Sequence, residues 1–342
     1  MVAGPHTYEP VEHDPRDPEA VRRVTYVLFL PDGRCAVPAQ GHGGGGLRLP
    51  SGRVLPGEDW VLDTSERVPL MTAGFLRQRV HPFAYDGLEL RLYAWLDGDR
   101  YRGRRPHTRV ELFAGTPEEV AARLADRTER RAVLDAAHSF REQDDASWFA
   151  DNLRLIQPAY LRAATVEGGS GFGGGPEEWR ARRSMVVDAL HRDGTFLDIG
   201  CANGLLMESV RTWAAERGRA IEPYGLDIAP GLVELARRRL PRWADRIAVG
   251  NALDWRPDGG RRFTFVHVLA DCVPPARLGG LLRRLLAELV EPGGRLLVSA
   301  YQPAGGEAPG AAERLAALGV PVAGSASGTG PDRTATTAWV DA

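Results

Sequence analysis

Thr195-Phe-Leu-Asp-Ile-Gly-Cys-Ala-Asn-Gly204, followed by Leu205-Leu-Met-Glu-Ser-Val210, constrains the fold more than any other part of this 342-residue chain. An apolar run ends near an acid, Asp198, and two glycines bracket a turn. Leu206, Val210, Trp213 and Ala214 then recur at helical spacing. That order is a buried strand, a tight turn and an opening helix, the βα unit of a parallel sheet. A second acid, Asp227, closes the next strand-like run at 224–228. Acids at two successive strand ends suit a ligand that carries a nucleoside. Each acid also has a plainer reading, as a cap for the helix after it.

The alternation continues through the C-terminal half. Strand-like runs at 247–250, 263–270 and 296–300 alternate with helical patterns opened by Pro230 and by Pro274-Pro275. Segments 320–325 and 334–340 follow, and they are expected to pair as an antiparallel hairpin at the sheet edge. The prediction is an α/β, Rossmann-like sheet of seven strands wound on both faces. In such sheets ligands bind outside the carboxyl ends of the strands, near the point where strand order reverses. Those ends carry Asp198, Gly200, Asp227, Ile228, Asn251, Ala252, Asp254, Asp271 and Tyr301.

The glycine spacing separates the possible cofactors. A dinucleotide turn wants G-x-G-x-x-G, whose last glycine lets helix and strand pack closely. Here Ala202 and Leu205 stand where the second and third glycines would be. Asp198 would also repel a pyrophosphate. An acidic strand end suits an amino-bearing or cationic ligand instead.

On these residues, 181–342 resembles the class I S-adenosylmethionine-dependent methyltransferases, whose first strand ends in D/E-x-G-x-G-x-G. The resemblance implies S-adenosylmethionine as cofactor and a turn in which Gly200, Cys201, Ala202 and Gly204 meet its methionine part beside Asp198. It further implies Asp227 on the ribose hydroxyls, Ile228 on the adenine face, and Asn251 and Ala252 at the adenine edge. Asp271 would line the methionine or acceptor side. It is the candidate base if the acceptor is a hydroxyl. Asn251 and Asp254 read equally well as loop caps. His267, inside a strand, reads as a buried, hydrogen-bonded histidine, and Cys201 as a small turn residue.

Composition narrows the partners. A net charge of −2 gives no basic field for nucleic acid, and all 43 basic residues are arginine. Without lysine there is no Walker-type phosphate grip and no Schiff base with pyridoxal phosphate. The clusters Arg102-Gly-Arg-Arg105, Arg180-Ala-Arg-Arg183 and Arg237-Arg-Arg239 read as solvated faces. No N/D-P-P-Y/F sequence follows the fourth strand, where the chain reads Ala270-Asp-Cys-Val-Pro274. A small-molecule acceptor is therefore expected, with the accepting atom and oligomeric state left open. Cys35, Cys201 and Cys272 lack metal-site spacing, so no metal is expected. No apolar run reaches about 18 residues, and the polar, proline-rich start predicts no secretory leader. A cytoplasmic protein is expected.

The first half reads differently. Residues 1–20 are expected to be a flexible arm, 21–135 an α+β unit, and 136–180 a linker or lid holding the loop Gly168-Gly-Ser-Gly-Phe-Gly-Gly-Gly-Pro176. A hairpin over 24–37, strands at 47–49, 88–96 and 110–113, and a helix from the capping box Thr116-Pro-Glu-Glu119 are predicted. Gly52-Arg-Val-Leu-Pro-Gly-Glu58 resembles the opening of the Nudix box. The remainder of that box departs from the pattern. Arg-Glu is reversed as Glu66-Arg67, Leu70 and Met71 replace the metal-binding carboxylates, and Gly74 arrives one residue late. Pyrophosphate hydrolysis needs clustered carboxylates around Mg²⁺. The resemblance thus implies a binding or docking module rather than a hydrolase.

Overall fold

The computed structural model describes residues 21–30, 33–38, 47–56, 58, 64, 67–69, 77–85, 89–96, 112–142, 145–303, 309–330 and 333–342. The chain divides into two compact units, Met1–Arg154 and Leu155–Ala342. The expected arm, the arginines at 102–105, and Glu66, Leu70, Met71 and Gly74 lie outside the described residues.

The first unit holds a six-stranded sheet. Its strands are β1 (Arg23–Phe29), β2 (Cys35–Pro38), β3 (Ser51–Arg53), β4 (Arg77–Tyr85), β5 (Glu89–Leu96) and β6 (Leu112–Gly115), ordered β4-β5-β1-β2-β6 with β3 against β1. The β1–β2 hairpin is antiparallel as expected, whereas β1 and β5 run parallel. The expected strand at 47–49 is a single bridge, Leu47 to Leu124. β4 was not foreseen, because Pro82 interrupts its alternation. Helix α1 (Pro117–Arg123) opens on the predicted capping box, with Thr116 Oγ1 accepting from Glu119 N and the Glu119 carboxylate accepting from Thr116 N. Val120, Ala121 and Leu124 then join Val27, Phe29, Val37 and α2 residues Val133 and Ala136 in one core. The stretch expected to link the halves is largely helical. It contains the end of α2 (Arg127–Glu142), all of α3 (Asp145–Arg162) and most of α4 (Pro176–Arg183), and the division between units falls within α3.

The second unit is mixed α/β around seven strands. They are β7 (Gly194–Ile199), β8 (Ile221–Asp227), β9 (Ile247–Val249), β10 (Phe263–Leu269), β11 (Val290–Pro303), β12 (Gly324–Thr329) and β13 (Arg333–Asp341). Their order is β12-β13-β11-β10-β7-β8-β9. The five from β7 to β11 are parallel, and β13 runs antiparallel between β11 and β12. The chain steps outward from β7 through β8 to β9, then crosses to β10, so strand order reverses between β7 and β10. The edge hairpin forms as expected, but its first strand starts at Gly324. Gly319 and Val320 N–H groups still close the end of α8 (Ala311–Ala317), and Pro321 has no N–H for a ladder. The linking helices α5 (Leu205–Glu216), α6 (Pro230–Arg239) and α7 (Pro275–Arg284) bury the predicted stripes, including Leu206, Val210, Trp213 and Ala214 on α5. Among the described residues no helix is long and apolar enough to cross a membrane.

Glu58, the best-preserved acid of the Nudix-like stretch, is engaged locally. Arg67 Nε lies 2.6 Å from its Oε1, Thr64 donates to Oε2 at 2.8 Å, and Leu55 N donates to Oε2 at 3.0 Å. The Arg67 hydrogen bond, outweighing burial, lowers its pKa from 4.5 to about 2. A depressed carboxylate pKa means that the unfolded chain takes up the proton first. The stabilisation is therefore complete above pH 4.5 and is lost as pH falls toward 2. Glu58→Gln should cost about 1 kcal/mol in urea unfolding at pH 7 after solvent screening. That difference should shrink at pH 3; a difference independent of pH would contradict the pairing.

Candidate active site

The turn after β7 is built from alternating left-handed residues. Gly200 has φ 81°, Ala202 φ 47° and Gly204 φ 77°, and Ala202 is the non-glycine residue with positive φ among the described residues. Its conformation is held by Asp227 at the end of β8. Asp227 Oδ2 accepts from Ala202 N and Oδ1 from Ala229 N, both at 2.8 Å. Burial raises the Asp227 pKa, and those two backbone hydrogen bonds oppose the rise.

The amides of Gly200, Cys201, Ala202 and Gly204 are all spent inside the protein. Gly200 N and Cys201 N both donate to Leu226 O, at 2.8 and 3.1 Å, and Gly204 N donates to Cys201 O at 2.7 Å. A phosphate cradle needs such N–H groups free. Here the carboxylates of Asp198 and Asp227 stand at the two strand ends instead, the polarity wanted by an ammonium or by hydroxyls.

The sequence-derived residues fall as follows. Asp198, Gly200, Cys201, Ala202, Gly204, Asp227 and Ile228 come together at the ends of β7 and β8. Asp271 and Cys272 follow β10 on the other side of the order reversal, and Cys272 Sγ would touch a Cβ built on Gly200 at 2.9 Å. Asp271 is exposed. Neither Asp198 nor Asp227 is the N-cap of the next helix; those positions are Gly204 and Ala229. Asn251 does act as a loop cap, its Oδ1 accepting from Leu253 N at 3.0 Å, and Arg284 Nη1 holds Ala252 O at 2.7 Å. Cys201 is buried, and that burial pushes its thiol pKa well up, so it stays protonated as a turn residue.

Arg183 corrects the reading of its cluster as a solvated face. Arg180 is exposed and pairs with Glu216, but Arg183 is only 7% accessible. Its guanidinium lies 4.4 Å from the Tyr301 ring centre and 4.9 Å from that of Trp179. Burial lowers its pKa to about 10, with the charges of Asp198, Tyr160 and Asp271 opposing, so it remains a cation. Nε has no hydrogen-bond partner among the described residues, and neither has the nearby Tyr301 hydroxyl. The overlooked signal was spacing. Trp179 and Arg183 stand four apart on α4, so a buried Trp179 carries Arg183 inward. In the third cluster, Arg239 also reaches the turn, with Nε donating to Asn203 O at 2.9 Å and Nη1 reaching Glu208 at 2.7 Å.

The glycine loop before α4 is seated on the same turn. Asn203 Nδ2 donates to Val166 O at 2.7 Å while its Oδ1 accepts from Leu205 N at 3.1 Å. Phe172 is buried against Trp179.

No sequence-family profile and no curated protein matches this chain. Solved structures do. It is similar to the N-methyltransferase NodS from Bradyrhizobium japonicum WM9 in complex with S-adenosylhomocysteine, at 17% identity and TM-score 0.42, over 55% of this chain and 98% of that one. It is also similar to a SAM-dependent methyltransferase from Geobacter sulfurreducens (16% identity, TM-score 0.36, 54% and 96% covered). A third is the geranyl diphosphate C-methyltransferase from Streptomyces coelicolor A3(2) (17% identity, TM-score 0.36, 54% and 87% covered).

The turn geometry predicts opposite outcomes at two positions. Ala202→Gly removes left-handed strain and should raise stability by about 0.5–1 kcal/mol. Gly204→Ala adds that strain and places a Cβ 2.7 Å from Leu240 Cδ1, so it should cost about 1–3 kcal/mol. Urea unfolding of both variants checks the pair, and destabilisation by Ala202→Gly would contradict the account.

Proposed function

We propose that the second unit is an S-adenosylmethionine-dependent methyltransferase acting on a small-molecule acceptor. The observation that carries this reading is the pairing of spent turn amides with two buried carboxylates at adjacent strand ends. Such a site rejects phosphate and receives hydroxyls and an ammonium.

In this reading each Asp227 oxygen keeps acceptor capacity beyond its one backbone hydrogen bond and takes the ribose hydroxyls. Ile228 packs on adenine, with Asn251 and Ala252 at its edge. Asp198 faces the methionine ammonium, and Arg183 supplies the cation for the methionine carboxylate. A zwitterionic tail thus meets both charges, held apart by the turn. The seated loop at 163–175 covers the site, and Asp271 stands on the acceptor side of the order reversal.

Methyl transfer is a displacement at the sulfonium carbon: the acceptor's lone pair forms the new bond and the sulfur keeps the old bonding pair. The protein's contribution is alignment and exclusion of water. For a hydroxyl acceptor, Asp271 takes the proton. Hydrolysis by the first unit is disfavoured, because Glu58 is already bound to Arg67, Thr64 and Leu55 N.

Calorimetry should show S-adenosylhomocysteine binding to wild type, with about tenfold or greater weakening in Asp227→Asn and in Arg183→Met. NAD and ATP should bind far more weakly. Tighter binding of either phosphate ligand, or no binding of S-adenosylhomocysteine, would overturn the reading.

A further inference from the structure

His267 sits in the middle of β10, in a strand otherwise built of Phe, Val, Leu and one Thr, and is 1% accessible. Its Nδ1 lies 2.8 Å from Asp198 Oδ1 and its Nε2 lies 2.9 Å from Ser299 Oγ. Ser299 Oγ lies 2.6 Å from Thr337 Oγ1. These residues stand on β7, β10, β11 and β13, four consecutive neighbours in the sheet. The contacts form one buried row across it, with Phe196 stacked on the imidazole at 6.0 Å.

Hydrogen-bond accounting fixes the direction of the row. Thr337 is wholly buried, and its hydroxyl has no acceptor other than Ser299 among the described residues. A buried hydroxyl proton left without an acceptor is costly, so Thr337 donates to Ser299. Ser299 must then donate to His267 Nε2, which is therefore unprotonated. The ring proton lies on Nδ1 and points at Asp198. Three donors in series end on one carboxylate oxygen, which fixes the carboxylate's orientation. Asp198 Oδ2 accepts no hydrogen bond among the described residues.

We propose that Thr337, Ser299 and His267 are positioning residues that fix Asp198 in orientation through Oδ1, leaving Oδ2 to receive an ammonium group of the ligand. The inference rests on the function proposed above and deepens it. The site selects a nucleoside that carries an amino-acid tail over the bare thionucleoside. His267 is not a base for the acceptor, since both ring nitrogens are committed within the sheet.

The test compares S-adenosylhomocysteine with 5′-methylthioadenosine, which lacks the amino-acid end, on full-length wild type, His267→Leu and His267→Asn. His267→Leu should weaken S-adenosylhomocysteine roughly tenfold while changing 5′-methylthioadenosine less than about twofold. His267→Asn, whose amide donates from near the Nδ1 position, should recover most of the loss. Nitrogen-15 spectra of histidine-labelled wild type should place the His267 proton on Nδ1 at neutral pH, a readout that stands even if His267→Leu does not fold. Equal losses for both ligands, no loss in His267→Leu, or a proton on Nε2 would overturn the inference while leaving the function intact. Wild type binding neither ligand would overturn the function and, with it, this inference.

Discussion

The carboxylate of Asp227 is the fastener on which the candidate site depends. It reaches from the end of β8 to the amide of Ala202 and holds an alanine in backbone space that favours glycine. With Ala202 fixed, the amides of Gly200 and Cys201 turn to Leu226 O, and that of Gly204 turns to Cys201 O. The turn's polarity follows: the amides of Gly200, Cys201, Ala202 and Gly204 are all taken up inside the protein. Without this clamp the same glycines would be free to form a nest for anions.

A second constraint comes from the sheet. Parallel strands buried on both faces rarely carry polar side chains, because each one must find a partner within the layer. Asp198 Oδ1, His267, Ser299 and Thr337 pair with one another across four strands, so a polar row crosses an otherwise apolar sheet. Antiparallel β13 is essential to that closure. By lying against β11 it sets Thr337 opposite Ser299, so the trailing hairpin completes a network that ends at Asp198.

Much of the second unit was legible from residue order. Alternation and Pro-opened helices located five parallel strands, and the failed dinucleotide spacing with Asp198 pointed to an acidic strand end. Long-range pairing was not legible. His267 read correctly as buried and hydrogen-bonded, but its partners lie 69 and 32 residues away, where no local pattern reports them. Arg183 was hidden because a run of arginines resembles a solvated face, and only its spacing from Trp179 turns it inward. In the first unit, Pro82 masked β4, and the helical residues within 136–180 were taken for a linker because their apolar stripes are broken by polar and aromatic residues.

The central claim is that the crevice between β7 and β10 holds the methyl donor through oxygen acceptors at β7 and β8. A crystal structure of the full chain soaked with S-adenosylhomocysteine tests it most directly. The account predicts ribose hydroxyls on Asp227, the amino group on Asp198 Oδ2 and the carboxylate at Arg183. A ligand bound away from those residues, or one whose amino group points away from Asp198, would contradict it.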